Sequence, residues 1–226
     1  MARPRRRKLS RIQVFWRRRA ARKAEAYIAA YSFPPHIERR VRAKAGLDEA
    51  DWDLVERGLR QWFICCAWRG WGILGMPSRL VDEAWHEFIL DSLSYTRFCE
   101  GAFGAYLHHT PDEAMSPSMS MADGTAETVR AWDRSDAGSN GEESALWDLD
   151  VRLGAAEPLG LSEPQVNCAR IRAPYSGATG WACAGVIGAA GWAGDGVFIG
   201  GGEGGGGGGG DGGGGCGGGG CGGGGS

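Results

Sequence analysis

The stretch "PSRLVDEAWHEFILDSLSYTRFCEGAFGAYLHHTP", Pro77 to Pro111, decides how the chain is read. It holds three of the four histidines, with Asp82, Glu83, Glu87 and Cys99 among them. Ser78 suits the cap of a helix reaching to about Leu90, and Ser94 the cap of another from Tyr95 to about Leu107. The short "DSLS" between them predicts an antiparallel helical pair. At about 100° per residue, Val81, Ala84, Trp85, Phe88 and Ile89 share one face of the first helix. Asp82 and His86 fall on the margin of that face, one turn apart and within reach of each other. Glu83 and Glu87 fall on the side expected to face solvent.

Two readings of this margin stay open. In one, Asp82 orients His86, and the imidazole binds a metal ion or acts as a base. In the other, the pair satisfies itself beside an apolar core. A turn centred between Ser92 and Leu93 sets His86 level with Cys99, but sets His108 and His109 level with Pro77 and Met76. That is about 15 Å from His86 along the axis, too far for one ion. The exception is a break at Gly101 or Gly104 that folds "AYLHH" back. With the break, Asp82, His86, Cys99 and His109 form a ligand set for zinc or iron, with His108 as the substitute for His109. As ordinary helix-end residues, both histidines would instead complement the dipole. His36, behind two prolines, receives no role.

Working outward, Pro35 suits a first helical turn and Gly46 a position just past a helix end. Asp48 is the expected cap of "LDEADWDLVERGLRQWFICCAW", in which Trp52, Val55, Leu59, Trp62, Phe63 and Cys66 make one apolar stripe. Cys66 reads as a buried small hydrophobe rather than a reactive thiol. Further on, "TAETVRAW" is a short helix between the loops "MSPSMSMADG" and "DRSDAGSNGEES". "ALWDLDVRLG" is the expected last helix, stopped by Gly154. The class is all-α, a small multi-helix domain with an antiparallel hairpin.

The expected organisation is a basic extension over 1–24, a helical domain over 25–172 with a loop-rich insertion at about 114–144, and a small-residue and Gly-rich disordered tail over 173–226. Between Gly200 and Ser226, 22 of 27 residues are glycine, so nothing there can repay the entropy of ordering. The run "GWACAGVIGAAGWAGDGVFIGGG" is too short and too glycine-rich for a membrane span, which needs about 20 apolar residues. Cys216 and Cys221 sit in the tail as two exposed thiols.

The net charge of −2 conceals an asymmetry: residues 1–23 hold 11 of the 25 basic residues and none of the 27 acidic ones. Leu9, Ile12, Phe15 and Trp16 recur there at helical spacing. The segment reads as a solvated extension, with an anionic membrane surface, RNA or an organelle transit signal as the alternatives. Seven cysteines without a CxxC or zinc-finger spacing, and no apolar signal region, give a reducing cytoplasm as the expected compartment. No G-x-S-x-G, Walker A or dinucleotide fingerprint occurs outside the glycine tract.

The segments "FPPHIERRV", "MPSRLVDEAWHEFIL", Tyr95, "FC" at 98–99, "FG" at 103–104 and "LHHTP" together resemble the glycine-rich domain-containing protein family, with its bacterial and plant members. The resemblance covers about residues 27–113, more weakly "ALWDLDVRLG", and the Gly–Cys tail. It implies a helical domain with no defined reaction, and it favours His109 over His108. The expected function is therefore a non-enzymatic binding or interaction protein with an unknown protein or small-molecule partner. One alternative is a zinc- or iron-binding domain, an enzyme in its stronger form, using Asp82, His86, Cys99 and His109. The other is RNA or membrane-surface association through the Arg-rich start.

Overall fold

The computed structural model describes residues 10–69, 74–110, 121–171 and 196–198. Its first five helices are α1 (Arg11–Ala30), α2 (Pro35–Ala45), α3 (Glu49–Trp68), α4 (Arg79–Leu90) and α5 (Ser92–Phe103). Four more follow: α6 (Met121–Arg134), α7 (Asp136–Ser139), α8 (Leu149–Arg152) and α9 (Glu163–Ile171). Three short strands, β1 (Leu74–Gly75), β2 (His108–Thr110) and β3 (Gly196–Phe198), form an antiparallel strip in the order β1-β3-β2. The class is mostly helical, as the periodicity requires.

Local chemistry sets the helix ends. Pro35 opens α2, and Gly46 closes it with φ 69°, the left-handed conformation that suits glycine. Asp48 accepts from the Asp51 N–H at the start of α3, and Ser78 accepts from the Val81 N–H at the start of α4. The cap of α5 is Asp91, not Ser94: its carboxylate accepts from the Ser94 N–H, and α5 starts three residues earlier than expected. Asp91 alone thus links α4 to α5.

α3 is the central element, packed by α1, α4 and α6. Trp52, Val55, Leu59, Trp62, Phe63 and Cys66 are all buried, as their spacing indicates. Trp85, Phe88, Tyr95 and Phe98 from the α4–α5 pair complete the centre, with the Phe63 and Phe98 ring centroids 4.6 Å apart and those of Trp62 and Trp85 5.7 Å apart. Aromatic pairs at such separations add to the gain from burial.

Several expectations need correction. The region at 114–144 is not a core-poor insertion where it is described: α6 buries Ala126, Val129, Ala131 and Trp132 against α3, β1 and α9. It crosses β1 closely because Gly75 and Gly124 have no side chains; a Cβ on Gly75 would lie 2.8 Å from the Thr125 backbone nitrogen. "ALWDLDVRLG" is a 3-10 turn at Ala145–Trp147 followed by the single turn of α8, and α9 comes after it. α1 runs unbroken through the expected boundary at 24/25. Glu87 does not face solvent; it is 2% exposed and accepts from Arg40 and Lys44 of α2.

Among the described residues no helix is long and apolar enough to cross a membrane. Apart from β3, the expected tail at 173–226, with Cys216, Cys221 and the "GWACAGVIGAAGWAGDG" run, lies outside the described residues. Residues 1–9 do so too.

Candidate metal centre

The amino-terminal end of α4 is held by a buried carboxylate from far along the chain. Asp150 of α8 accepts from Ser78 Oγ (2.6 Å), the Arg79 N–H (2.7 Å), the Leu80 N–H (3.2 Å) and the Leu159 N–H (2.9 Å). An anion there satisfies donors that a helix start leaves open and complements its dipole. Asp82 and His86 lie on the next turns of this anchored helix.

His109 reaches them because α5 ends early. α5 stops at Phe103 rather than Leu107, with Gly104 at φ 70°, and the chain turns back into β2. The break anticipated at Gly101 or Gly104 is thus real, and it falls at Gly104. Gly101 stays helical and gives Tyr27 room: a Cβ there would lie 2.4 Å from the Tyr27 ring. The returning strand is fixed through Leu107. Tyr95 Oη donates to the Leu107 carbonyl (2.6 Å) and accepts from Trp85 Nε1 (3.1 Å), all in the interior. The Leu107 backbone also hydrogen-bonds the Cys99 sulfur.

This places His109 Nε2 3.1 Å from Asp82 Oδ1, with His86 Nδ1 3.4 Å from Asp82 Oδ2. The two imidazole centroids are 4.3 Å apart, and the Trp85 ring lies 4.4 Å from that of His109. One donor atom from each of Asp82, His86 and His109 lies within 4.8 Å of the other two, so the three could hold one ion. The side chains are graded outward: His109 is 9% exposed, Asp82 16% and His86 42%. The group is therefore walled on the Trp85 side and open beside His86.

Cys99 does not join them. It is fully buried, burial pushes its thiol pKa up, and its hydrogen-bonding neighbours are Leu107 and Tyr95. The reason is the one-residue pivot. With Asp91 as the turn, His86 lies level with Thr96, about one helical turn short of Cys99. His108 points away as well, because adjacent residues of a strand face opposite sides; it is exposed, with its ring 4.8 Å from that of Tyr106. Glu83 and Glu87 are engaged by Lys44. His36 pairs with Asp91 at 3.3 Å.

The residues that sequence reasoning missed are positioning ones. Asp150 gave no local sign, since the three partners at the start of α4 are about 70 positions earlier. Trp85 and Tyr95 were noticed for their spacing without their shared hydrogen bond being foreseen.

No curated protein and no solved structure matches the chain. A family model, UCP032817-like, matches residues 23–141, more than half of the sequence. The expected glycine-rich domain family is not what matches, so that resemblance is withdrawn; the Gly-rich tail that encouraged it lies beyond the matched residues. The matched segment contains α2 to α6 and with them Asp82, His86 and His109, and this chain belongs to the UCP032817-like family.

Proposed function

We propose that the chain binds one divalent transition-metal ion, zinc or ferrous iron, through Asp82, His86 and His109. The observation that carries this is the convergence of two imidazoles on one carboxylate, at 3.1 Å and 3.4 Å, with one imidazole delivered by a separate strand. An ion bonded at about 2.0–2.2 Å holds its nitrogen and oxygen donors about 3–3.5 Å apart, so both contacts already have the spacing a metal requires. Two histidines and a carboxylate suit zinc or ferrous iron, and three protein ligands leave positions for water or another molecule on the exposed side of His86.

A second reading is favoured by the same contacts. Each oxygen of Asp82 already meets an imidazole, which satisfies three polar side chains at the rim of the core without an ion. On that reading the domain is a non-enzymatic binding protein and the cluster only fastens β2 to α4. The thiols of Cys65, Cys66 and Cys99, buried and unpaired, support a reducing, cytoplasmic setting under either reading.

Elemental analysis of tag-free protein, after loading with Zn²⁺ or with Fe²⁺ under anaerobic conditions and desalting, separates the two. One equivalent of metal, lost in His109→Ala and His86→Ala but kept in Cys99→Ser, is the expected result. Metal far below one equivalent, or equal in wild type and His109→Ala when circular dichroism shows both folded, leaves only the second reading.

A further inference from the structure

The amino-terminal half of α1 carries apolar side chains that the rest of the fold does not cover. Ile12, Phe15 and Trp16 recur at i, i+3 and i+4 and are 69%, 60% and 60% exposed. The residues that dock α1 onto the domain are Ala21, Ala24, Glu25 and Ile28. At about 100° per residue the two sets point about 180° apart. The exposed face therefore looks outward from the domain. Ser10 and Gln13 form a capping box that starts the helix here.

Charge identifies the occupant. Arg11, Arg18 and Arg22 line one flank of this face, Arg19 and Lys23 point the same way as the apolar residues but lie further along the helix, and no acidic residue precedes Glu25. Arg22 also reaches Asp136 of α7 at 3.1 Å, which ties the cationic flank to the domain. Residues 1–9, outside the described structure, add four arginines and a lysine. A short apolar face with aromatic residues, bordered by long cationic side chains, is the pattern of a helix lying in the plane of an anionic bilayer. Arginine stems extend along the apolar surface while their heads meet phosphate. RNA would use the charges and could stack on Phe15 or Trp16, but it has no use for Ile12, and those two rings meet edge to face with centroids 5.6 Å apart.

We infer that α1 is a membrane-surface anchor, with Ile12, Phe15 and Trp16 entering the headgroup boundary of an anionic bilayer and the flanking arginines bound to lipid phosphate. The geometry leaves the Asp82–His86–His109 group on other elements, so the inference does not depend on that site.

Flotation of the full chain with phosphatidylcholine vesicles, with and without phosphatidylglycerol, tests it. Binding is expected only to the anionic vesicles, and it should weaken when salt rises from about 0.1 to about 0.5 M. The double variant Phe15→Ser, Trp16→Ser should lower the partition coefficient at least about tenfold with an unchanged circular dichroism spectrum. Absence of binding to anionic vesicles overturns the inference, and so does equal binding by the double variant. Two other results also overturn it: single-stranded RNA displacing the protein fully from the vesicles, or sedimentation showing a dimer that the double variant dissolves, which would assign the face to a second copy.

Discussion

Tyr95 differs from phenylalanine only by a hydroxyl, and that hydroxyl is what fixes the last step of the path to His109. Burial pushes its pKa up, so it remains a donor across the neutral range. It donates to Leu107, accepts from Trp85, and so leaves neither buried partner unsatisfied. Tyr95→Phe removes these two hydrogen bonds and the contact with the Cys99 thiol while keeping the ring. The expected cost is about 1–3 kcal/mol of folding stability, the usual range when buried partners are orphaned. Leu107 is two residues from His109, so zinc affinity should also fall, by about tenfold or more, as for other outer-shell supports of a ligand histidine. Calorimetric titration with Zn²⁺ beside a thermal melt checks both effects. A variant that melts like wild type and binds zinc equally well would remove Tyr95 from this role.

At the scale of the element, α4 is fastened at its start by two side chains of different origin. Ser78 is the local cap, and Asp150 supplies a carboxylate to Ser78 Oγ and to the Arg79, Leu80 and Leu159 N–H groups. Ser78→Ala should cost about 1 kcal/mol. Asp150→Ala should cost about 3 kcal/mol or more, because it leaves several buried donors without an acceptor at once. Urea unfolding with an unchanged slope is the measurement, and an Asp150 variant no weaker than the Ser78 variant would refute this ranking.

The contrast between these two residues also shows what was legible in the sequence. Ser78, Asp48, Pro35 and Gly46 act on their own helices within a few positions, so their roles could be read locally. The stripe of α3 was equally plain, because Trp52 through Cys66 are apolar at one period. α6 was not, since Thr125, Glu127 and Thr128 are buried as well; Thr128 Oγ1 donates to the Gly75 carbonyl (2.8 Å), and this mixture masks a hydrophobic face. For the candidate site, Asp82 and His86 followed from helical spacing. His109 depended on whether Gly104 ended α5, and Cys99 was misplaced because the turn was centred near Ser92 and Leu93 instead of Asp91. Helical angles assign a residue to a face but do not say which neighbour covers that face, and for this reason Glu87 was read as solvated.

For the whole molecule, Glu87 is where α2 is coupled to the helix that bears the site. Its carboxylate accepts from Lys44 and, at 3.3 Å, from Arg40, while Lys44 also donates to Glu83 at 2.6 Å. The hydrogen bond from Lys44, followed in size by the opposing effect of burial, holds the Glu87 carboxyl below its ordinary range. A carboxyl whose folded pKa is depressed stabilises the fold at pH above its unfolded value, about 4.3, and that stability disappears as pH falls through the folded value. Lys44 is shifted the other way, upward, first by Glu83 and then by Glu87. Its share is complete below about 10.4, the unfolded lysine value, and is lost only as pH rises through the higher folded value. Both shifts describe one cluster, which is therefore intact across the neutral range and fails first in acid. Lys44 and Arg40 are each 55% exposed, so solvent screens the pairing and its net worth is about 1 kcal/mol. Glu87→Gln keeps the shape and removes the titration. It should be about 1 kcal/mol less stable than wild type at pH 7. The two should converge between about pH 5 and pH 3, as protonation removes from the wild type what the variant already lacks. Denaturation midpoints measured across that interval decide the matter: a gap that stays constant with pH would place the stabilising role of Glu87 in its packing and not in its charge.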